Sequence, residues 1–275
     1  GLFLDMNISK CYIVIVTYNS SKYIEKCINS LLLLNNHNYK IIIIDNNSYD
    51  NTVQLISLKF EKYIDNKRIS IIVNSKNLGY AYGINRAIDF SVKFDDCEYF
   101  WLLNSDVVVS SNCLDILFEN SKTNNIISPG LYNYKNHKQI QSFGGVVNSV
   151  FMTTKNQTIK NHNIDFISGA SLFFKKNIIE KIGLLPETYF MYYEDVDWCT
   201  KAKKNKIKLE IIDNCQVYHV NKKFIKLNLK LRSQFNRLIY SYKYFLHCLP
   251  IVLISVFVSI TLTLIKRPFL NENHR

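Results

Sequence analysis

Four short runs rich in β-branched and aromatic residues open this chain: Cys11–Tyr18, Tyr39–Ile44, Ile69–Val73 and Tyr99–Leu103. Each is followed by a polar cluster, and helix-length stretches separate them. Continuous apolar runs of this length read as strands buried on both faces, and strands joined by helical crossovers build a mostly parallel α/β sheet. The first crossover reads as a helix ending near Leu34, with Ile24, Cys27, Ile28 and Leu31 on one face and Ser20 or Ser21 as its cap. The second reads as one helix over Asn51–Tyr63, and the third continues to about Phe94. In an open sheet of this kind, ligands bind at the carboxyl ends of the strands. The polar clusters that begin at Asn19, Asp45, Asn74 and Asn104 are therefore the first places to look for a site.

Downstream the spacing predicts a helix over Cys113–Asn120, a strand near Ile126–Ser128 and a strand over Leu172–Phe174. A helix over Lys176–Ile182 is stopped by Gly183, a suitable residue beyond a helix end. The polar stretch from Leu131 to Ile164 reads as hairpins leaving the sheet, a plausible wall over a pocket. A helix over Glu194–Lys204 and two short strands, Leu209–Ile212 and Gln216–Tyr218, follow. The 275 residues suffice for one large domain or two small ones.

The acids are unevenly placed. Glu194, Asp195 and Asp197 fall within four residues, behind the aromatic run Phe190–Tyr193. Apolar flanks and neighbouring carboxylates raise a carboxyl pKa toward the range useful to a general base. The other reading is an acidic first helical turn, favoured by the helix dipole. Asp45 ends a strand, where it could meet a ribose or base, or organise a loop. Asp106 follows a buried strand, where it could meet a hard cation completed by phosphate oxygens, or cap a helix. His219 gains weight as a ligand only if folding brings it near Asp106. Gly79 and Gly83 suit a tight approach, but no G-x-G-x-x-G is present, so the dinucleotide fingerprint is absent.

Charge divides the chain. Residues 1–200 carry 19 bases and 19 acids, whereas residues 201–275 carry 15 bases and 3 acids. Lys222–Tyr244 reads as a basic helix, and Leu246–Ile265 is almost wholly apolar, interrupted at His247 and Pro250 and closed by Lys266 and Arg267. A basic stretch leading into an apolar one points to an anionic membrane leaflet; the other reading is a buried helix that packs on the preceding domain or, in a homodimer through the C-terminal helices, on a partner subunit. No aromatic-interleaved basic module appears, so nucleic acid is not the expected partner. The seven cysteines form no close pair and read as buried thiols in a reducing compartment. Strand-like sequence begins by Tyr12, so no secretory leader is expected, and the first residues read as a frayed end.

In order, the fragments IVIVTYNS, IDNNSYDNT, NLGYAYGIN, LLNSD, SGASLFFKK, YFMYYEDVDW and VYHV make a series. Over Tyr12–His219 it resembles the family 2 glycosyltransferases, inverting enzymes of the GT-A fold, and most closely a bacterial rhamnosyltransferase-like branch that builds surface polysaccharides. The resemblance implies a GT-A domain over residues 1–221, with residues 1–130 mainly binding nucleotide-sugar and residues 131–221 mainly serving acceptor and catalysis. Residues 222–275 would be a basic and apolar helical tail. Thr17, Asn19, Asp45, Asn77, Gly79 and Asn85 would form the donor pocket, with Asn104, Ser105 and Gly169 beside it. Asp106 matches the last acid of the family's metal motif, whose first position is Asn104 here; with His219 it would hold Mg²⁺ or Mn²⁺. Asp195 would be the general base, with Glu194, Asp197 and Trp198 supporting or lining the acceptor side. The implied donor is dTDP-L-rhamnose, with a UDP-hexose or UDP-N-acetylhexosamine as the alternative. The implied acceptor is a growing surface glycan or lipid-linked saccharide at the cytoplasmic face of a membrane. A non-catalytic subunit of a polysaccharide assembly is the remaining alternative.

Overall fold

A computed structural model describes residues 10–161, 163–220 and 227–265 of the chain. The frayed start, the first residues of the basic stretch and the closing Lys266 and Arg267 lie outside the described residues. The expected strands and crossovers form in order: β1 (Lys10–Thr17), α1 (Ile24–Leu32), β2 (Tyr39–Asp45), α2 (Thr52–Lys59), α3 (Glu61–Asp65), β3 (Ile69–Val73), α4 (Tyr80–Ser91) and β4 (Cys97–Asn104). Then come β5 (Val107–Val109), α5 (Cys113–Asn120), β6 (Asn125–Asn133), β7 (Ile140–Ser142), β8 (Gly145–Val147), β9 (Thr154–Asn156) and β10 (Ser171–Lys175). The chain continues through α6 (Asn177–Ile182), α7 (Glu194–Lys204), β11 (Lys208–His219) and α8 (Leu227–Tyr244), and ends its described part in α9 (Leu249–Ile265).

The main sheet runs β3-β2-β1-β4-β10-β6-β11-β5, with β7 beside β6. β3, β2, β1 and β4 are parallel to one another, and β10 enters antiparallel between β4 and β6. Their β-branched runs are buried on both faces, so the sheet separates two apolar layers. One layer packs Ile13, Ile15, Ile28, Leu31 and Leu114, and the other packs Val14, Ile84, Phe174 and Trp198. In register, Thr17 lies beside Asp45, and Val16 beside Asn104. The polar clusters after β1, β2 and β4 therefore share one edge of the sheet.

Several details differ from the sequence reading. Neither Ser20 nor Ser21 caps α1, whose first turn follows Tyr23 without a side-chain cap; the Ser20 hydroxyl instead meets that of Ser105 at 2.9 Å. The helix over Asn51–Tyr63 is broken at Phe60, which leaves helical dihedrals (φ −120°) and buries its ring. The two short strands after α7 are one strand, β11, with a register shift between Ile212 and Gln216. That shift falls opposite Pro129 of β6, which has no N–H to give a continuous ladder. β5 is a strand of three residues that the sequence did not reveal. Its pairing with β11 sets Val107 against His219, which brings Asp106 to the histidine. Pro250 does not interrupt the tail; it sits in the first turn of α9, where a missing N–H costs nothing.

α8 and α9 do not form a core of their own. Tyr240, Cys248, Val252 and Val256 join the layer that contains Trp198 and Tyr193. All seven cysteines are free and buried.

Candidate active site

The nucleotide edge of the sheet is organised by a buried carboxylate. Asp45 accepts hydrogen bonds from the Thr17 hydroxyl at 2.8 Å, the Ser48 hydroxyl at 2.6 Å and the Ser48 N–H at 2.7 Å. It is 0% exposed, so it shapes the 45–52 loop from beneath and does not present its oxygens to a ligand. Asn19, in a left-handed conformation (φ 52°), accepts from the Tyr49 N–H at 3.0 Å and fastens the loops after β1 and β2 together. Tyr18 and Tyr49 stand exposed above them, edge to face at 6.1 Å. Two aromatic faces at the carboxyl ends of adjacent strands offer a stacking surface for a base. The sequence reading passed them over, although their position directly after the strands was visible.

The turn between β3 and α4 has a different duty from the one expected. Asn77 accepts from the Gly79 N–H at 3.0 Å, and the Tyr80 N–H bonds the Phe190 carbonyl at 2.9 Å. Gly79 has φ 101°, and a β-carbon there would fall on that same carbonyl oxygen. Asn85 spends its amide on the Leu185 and Glu187 segment, donating at 2.9 and 2.8 Å and accepting at 3.0 Å. Asn85 and the Tyr80 N–H thus fasten the chain that leads to the acid cluster, while Asn77 shapes the turn and Gly79 lets the Phe190 carbonyl approach.

At the adjacent strand end, Asp106 and His219 come together, with His219 Nε2 3.3 Å from an Asp106 oxygen. The Asn104 amide lies 3.4 Å from the same nitrogen. On its other side His219 Nδ1 lies 3.1 Å from Gln141 Oε1, an acceptor, which assigns the ring proton to Nδ1 and aims the Nε2 lone pair at Asp106. Among the described residues no group of three or more His, Cys, Asp or Glu side chains could hold a metal. One carboxylate and one imidazole fit a cation that draws its remaining ligands from a diphosphate. Gln141, which orients the ring, sits in the 131–164 excursion, where nothing in the sequence marks it.

The acid cluster separates into three environments. Asp195 is partly exposed, and its oxygens accept from the Gly169 N–H at 2.8 Å and the Val196 N–H at 2.9 Å. Burial pushes its carboxyl up, partly offset by those two donors. Glu194 is buried, with one oxygen lacking a hydrogen-bond partner, and burial together with the Asp195 charge drives its carboxyl well above the usual range. The two neighbouring carboxyls are both raised by burial, and the Gly169 and Val196 donors offset it at Asp195 alone. Asp197 is buried among the Tyr189 and Tyr244 hydroxyls at 2.9 and 2.7 Å and the Lys243 ammonium at 2.8 Å. Trp198 is wholly buried, donating to the Gly183 carbonyl at 3.0 Å. Buried in this way, Asp197 and Trp198 are placed to support and not to line a site: one anchors α8 and the other fills the core. Asp197→Asn is expected to cost about 2 kcal/mol of stability, as for hydrogen bonds to a charged group, and to leave diphosphate affinity unchanged. Thermal unfolding and calorimetry check the two halves.

Tyr80 links the acid cluster to the strand edge. Its hydroxyl donates to the Gly169 carbonyl at 2.7 Å, while Gly169 donates to Asp195. Burial, then the charges of Glu194, Asp195 and Asp106, push this phenol well above its ordinary value. Tyr80 and Asp195 are thus tied to the same residue, Gly169. A β-carbon on Gly169 would meet only ordinary contacts with Tyr80 and Asp195, so its absence opens space between them. Beside Asp195 lies a cavity of about 410 Å³, walled by Thr154, Phe166, Ser168 and Tyr193 on one side and by Ser233 and Gln234 of α8 on the other.

Among proteins of known sequence, the chain is 28% identical over 213 residues to the low-salt glycan biosynthesis hexosyltransferase Agl10 of Haloferax volcanii, covering 74% of this chain and 64% of that one. It is 26% identical over 204 residues to the poly-β-1,6-N-acetyl-D-glucosamine synthase of Staphylococcus epidermidis, covering 73% of this chain and 45% of that one. The chain thus spans from under half to just under two thirds of these relatives. A mannosyltransferase from Pyrobaculum calidifontis, solved with GDP-mannose and Mn²⁺, superposes with a TM-score of 0.65 at 14% identity over 86% of this chain and 64% of that one. That likeness gives the fold: a GT-A-like α/β sheet with an apolar helical extension. The model of the glycosyl transferase family 2 matches residues 12–183, more than half of the sequence and the whole stretch from β1 to the end of α6. By that match the chain belongs to glycosyl transferase family 2.

Proposed function

We propose that this chain is an inverting glycosyltransferase that moves a hexose or N-acetylhexosamine from a nucleoside diphosphate to a hydroxyl of a glycan or lipid-linked acceptor. The observation that carries it is the Asp195 carboxylate, held by two backbone N–H groups on the wall of a cavity, with Tyr80 bonded to the same Gly169 that holds it. Asp195 is the one carboxylate lining that cavity. It takes the proton of the acceptor hydroxyl as that oxygen attacks the anomeric carbon. A single displacement inverts the configuration; a retaining route needs a second carboxylate as nucleophile. Asp106 and His219 would hold Mg²⁺ or Mn²⁺, which when bound offsets charge on the departing diphosphate. Tyr18, Tyr49 and the loop carried by Thr17 and Asp45 would receive the nucleoside, and Ser105 would extend that edge.

For the donor, L-rhamnose has no support from the relatives, which are a hexosyltransferase and an N-acetylglucosamine polymer synthase. The alternative donors, hexose or N-acetylhexosamine, are better backed. α9 favours a membrane surface as the working place. The segment Leu246–Thr263 is long and apolar enough to cross a bilayer. Val252 and Val256 pack on the protein, while Ile254 and Phe257 are 66% and 72% exposed. A helix of 17 residues, about 25 Å long, with one side packed on a folded domain, suits an interfacial position on an anionic cytoplasmic leaflet better than a span. The exposed Lys230 and Arg232 of α8 add positive charge beside it. A panel of nucleotide sugars, each with Mn²⁺ or Mg²⁺, is expected to raise the unfolding temperature only for the donor actually used and for its free diphosphate. A panel with no stabilisation by any member would overturn the reading.

A further inference from the structure

The turn that delivers Asp195 is strained. Tyr192 and Tyr193 have φ of 71° and 73°, left-handed dihedrals that bulky residues rarely adopt. Each costs about 1–3 kcal/mol and persists only where the surroundings over-determine it. The Tyr193 carbonyl is used by α7, accepting from the Asp197 N–H at 2.8 Å. The carbonyls of Met191 and Tyr192 point away from α7, toward α8. There Asn236, 4% exposed, donates to both, at 2.9 and 2.8 Å. One planar amide thus spans two successive carbonyls at the entrance of the strained pair.

α8 is also tied to α7 farther along. Tyr240 meets the Thr200 hydroxyl at 2.7 Å, and Lys243 and Tyr244 close on Asp197. Those contacts fix α8 relative to the body of α7, and Asn236 is the contact that carries the fixed position back to the turn. The residue two steps beyond Tyr193 is Asp195, whose aim at the Gly169 N–H depends on where α7 begins.

We propose that Asn236 is a positioning residue for Asp195: from the C-terminal helix it holds the left-handed Tyr192–Tyr193 turn, so that the carboxylate stays on the Gly169 amide at the cavity wall. Asn236 touches no reacting atom, and it has this role in catalysis only if Asp195 is the base of glycosyl transfer. Without it two buried carbonyls lose their donors and the turn relaxes. The first turn of α7 then shifts the carboxylate off Gly169 while the donor edge, built on β1, β2 and β4, stays as it was.

The test compares the full chain with Asn236→Ala, Asn236→Asp and Tyr240→Phe. Asn236→Asp keeps the shape but sets a carboxylate against the two carbonyls. Turnover, donor KM and amide hydrogen exchange over 166–172 and 190–197 are measured for each. Both Asn236 variants are expected to lose about 10²-fold in kcat, the scale of an ångström misplacement at a reacting group, with donor KM unchanged. Exchange in the two segments is expected to rise about tenfold or more, since each lost hydrogen bond is worth roughly 1 kcal/mol. Tyr240→Phe removes the hydroxyl bonded to Thr200 but keeps the ring that packs on Tyr193, so it loosens the α7–α8 contact, lowers the unfolding temperature and leaves kcat and both segments as in the unmodified chain. Wild-type kcat in the Asn236 variants, or exchange no faster in these segments than elsewhere, overturns the assignment. If the unmodified chain transfers no sugar from any donor, the glycosyltransferase reading falls, and the exchange comparison alone decides whether Asn236 holds the turn.

Discussion

Asp195→Asn lowers turnover by about 10²–10⁴-fold, the usual worth of general-base help, while the affinity for nucleoside diphosphate stays at the wild-type value. The amide keeps the size of the carboxylate, but its single oxygen can accept from only one of the Gly169 and Val196 N–H groups, which bond different carboxylate oxygens; with that oxygen on Gly169 the cavity wall is kept and the Val196 contact is lost. What it cannot do is take a proton. The donor edge is built on other elements, β1, β2 and β4, whereas the hydrogen bonds of the Asp195 carboxylate run to Gly169 and Val196. The pH dependence has a definite sign. Burial raises the folded pKa of Asp195, and the base form is the carboxylate, so kcat is high above that raised pKa and falls as pH drops through it. The acid limb should therefore lie above the ordinary carboxylate range and vanish in the variant. Groups that share its field are the Glu194 carboxyl, the Tyr80 and Tyr193 phenols and the Cys199 thiol, with Lys230 across the cavity. Steady-state kinetics across pH, with calorimetry for the diphosphate, decide it. Transfer at the wild-type rate by Asp195→Asn would remove the base.

The parts of this fold that local sequence determines were legible, and the parts set by long-range pairing were not. Short apolar runs mark β1 to β4, rich in Ile and Val in β1 to β3 and in aromatic residues and Leu in β4, because a strand inside a parallel sheet needs no strict alternation to be recognised. β5 has three residues, and its partner lies more than a hundred positions away, so no local pattern marks it. Yet β5 is what brings Asp106 to His219, a pairing the family resemblance implied and spacing alone left open. The acid cluster was visible as a cluster, but its division of labour was not. Glu194, Asp195 and Asp197 have the same chemistry in sequence. They differ in what surrounds them: an apolar interior, two backbone N–H groups beside a cavity, and a lysine with two tyrosines. Only the packing of α8, whose basic residues read simply as a charged tail, decides that Asp197 is an anchor. The same blindness hid Asn236 and Gln141, single amides in polar stretches rich in asparagine and glutamine. Asn77, Gly79 and Asn85 were rightly singled out as special, but for an unsuspected reason. They belong to the turn and helix that hold the segment leading to Phe190.

Asp106→Ala is expected to weaken metal-dependent binding of nucleoside diphosphate by about 10²-fold, the upper end of what even the loss of an outer partner costs at a metal site. Among the described residues the Asp106 carboxylate and His219 Nε2 face the position where the cation would sit, with Asn104 in place of a second acid. Removing the carboxylate takes away the only formal negative charge of that pair, so what remains is an imidazole, a weak holder of a hard cation. The backbone role of Asp106, whose carbonyl accepts from the Val220 N–H at 3.1 Å, is preserved in the alanine variant, so β5 and β11 should stay paired. Titration of diphosphate in the presence and absence of Mn²⁺ separates the metal-dependent part of the affinity from the base-stacking part. The variant should show only the latter, with the two curves coincident. Gln141→Leu gives a graded control: it leaves both candidate ligands in place but frees the Nδ1 side of the ring, and a loss nearer 10-fold is expected. If Asp106→Ala binds diphosphate with unchanged affinity and unchanged response to Mn²⁺, the cation is not held at this edge. The charge on the leaving group must then be met by basic side chains of the protein, and the Asp106–His219 contact is a structural ion pair that closes β5 onto β11.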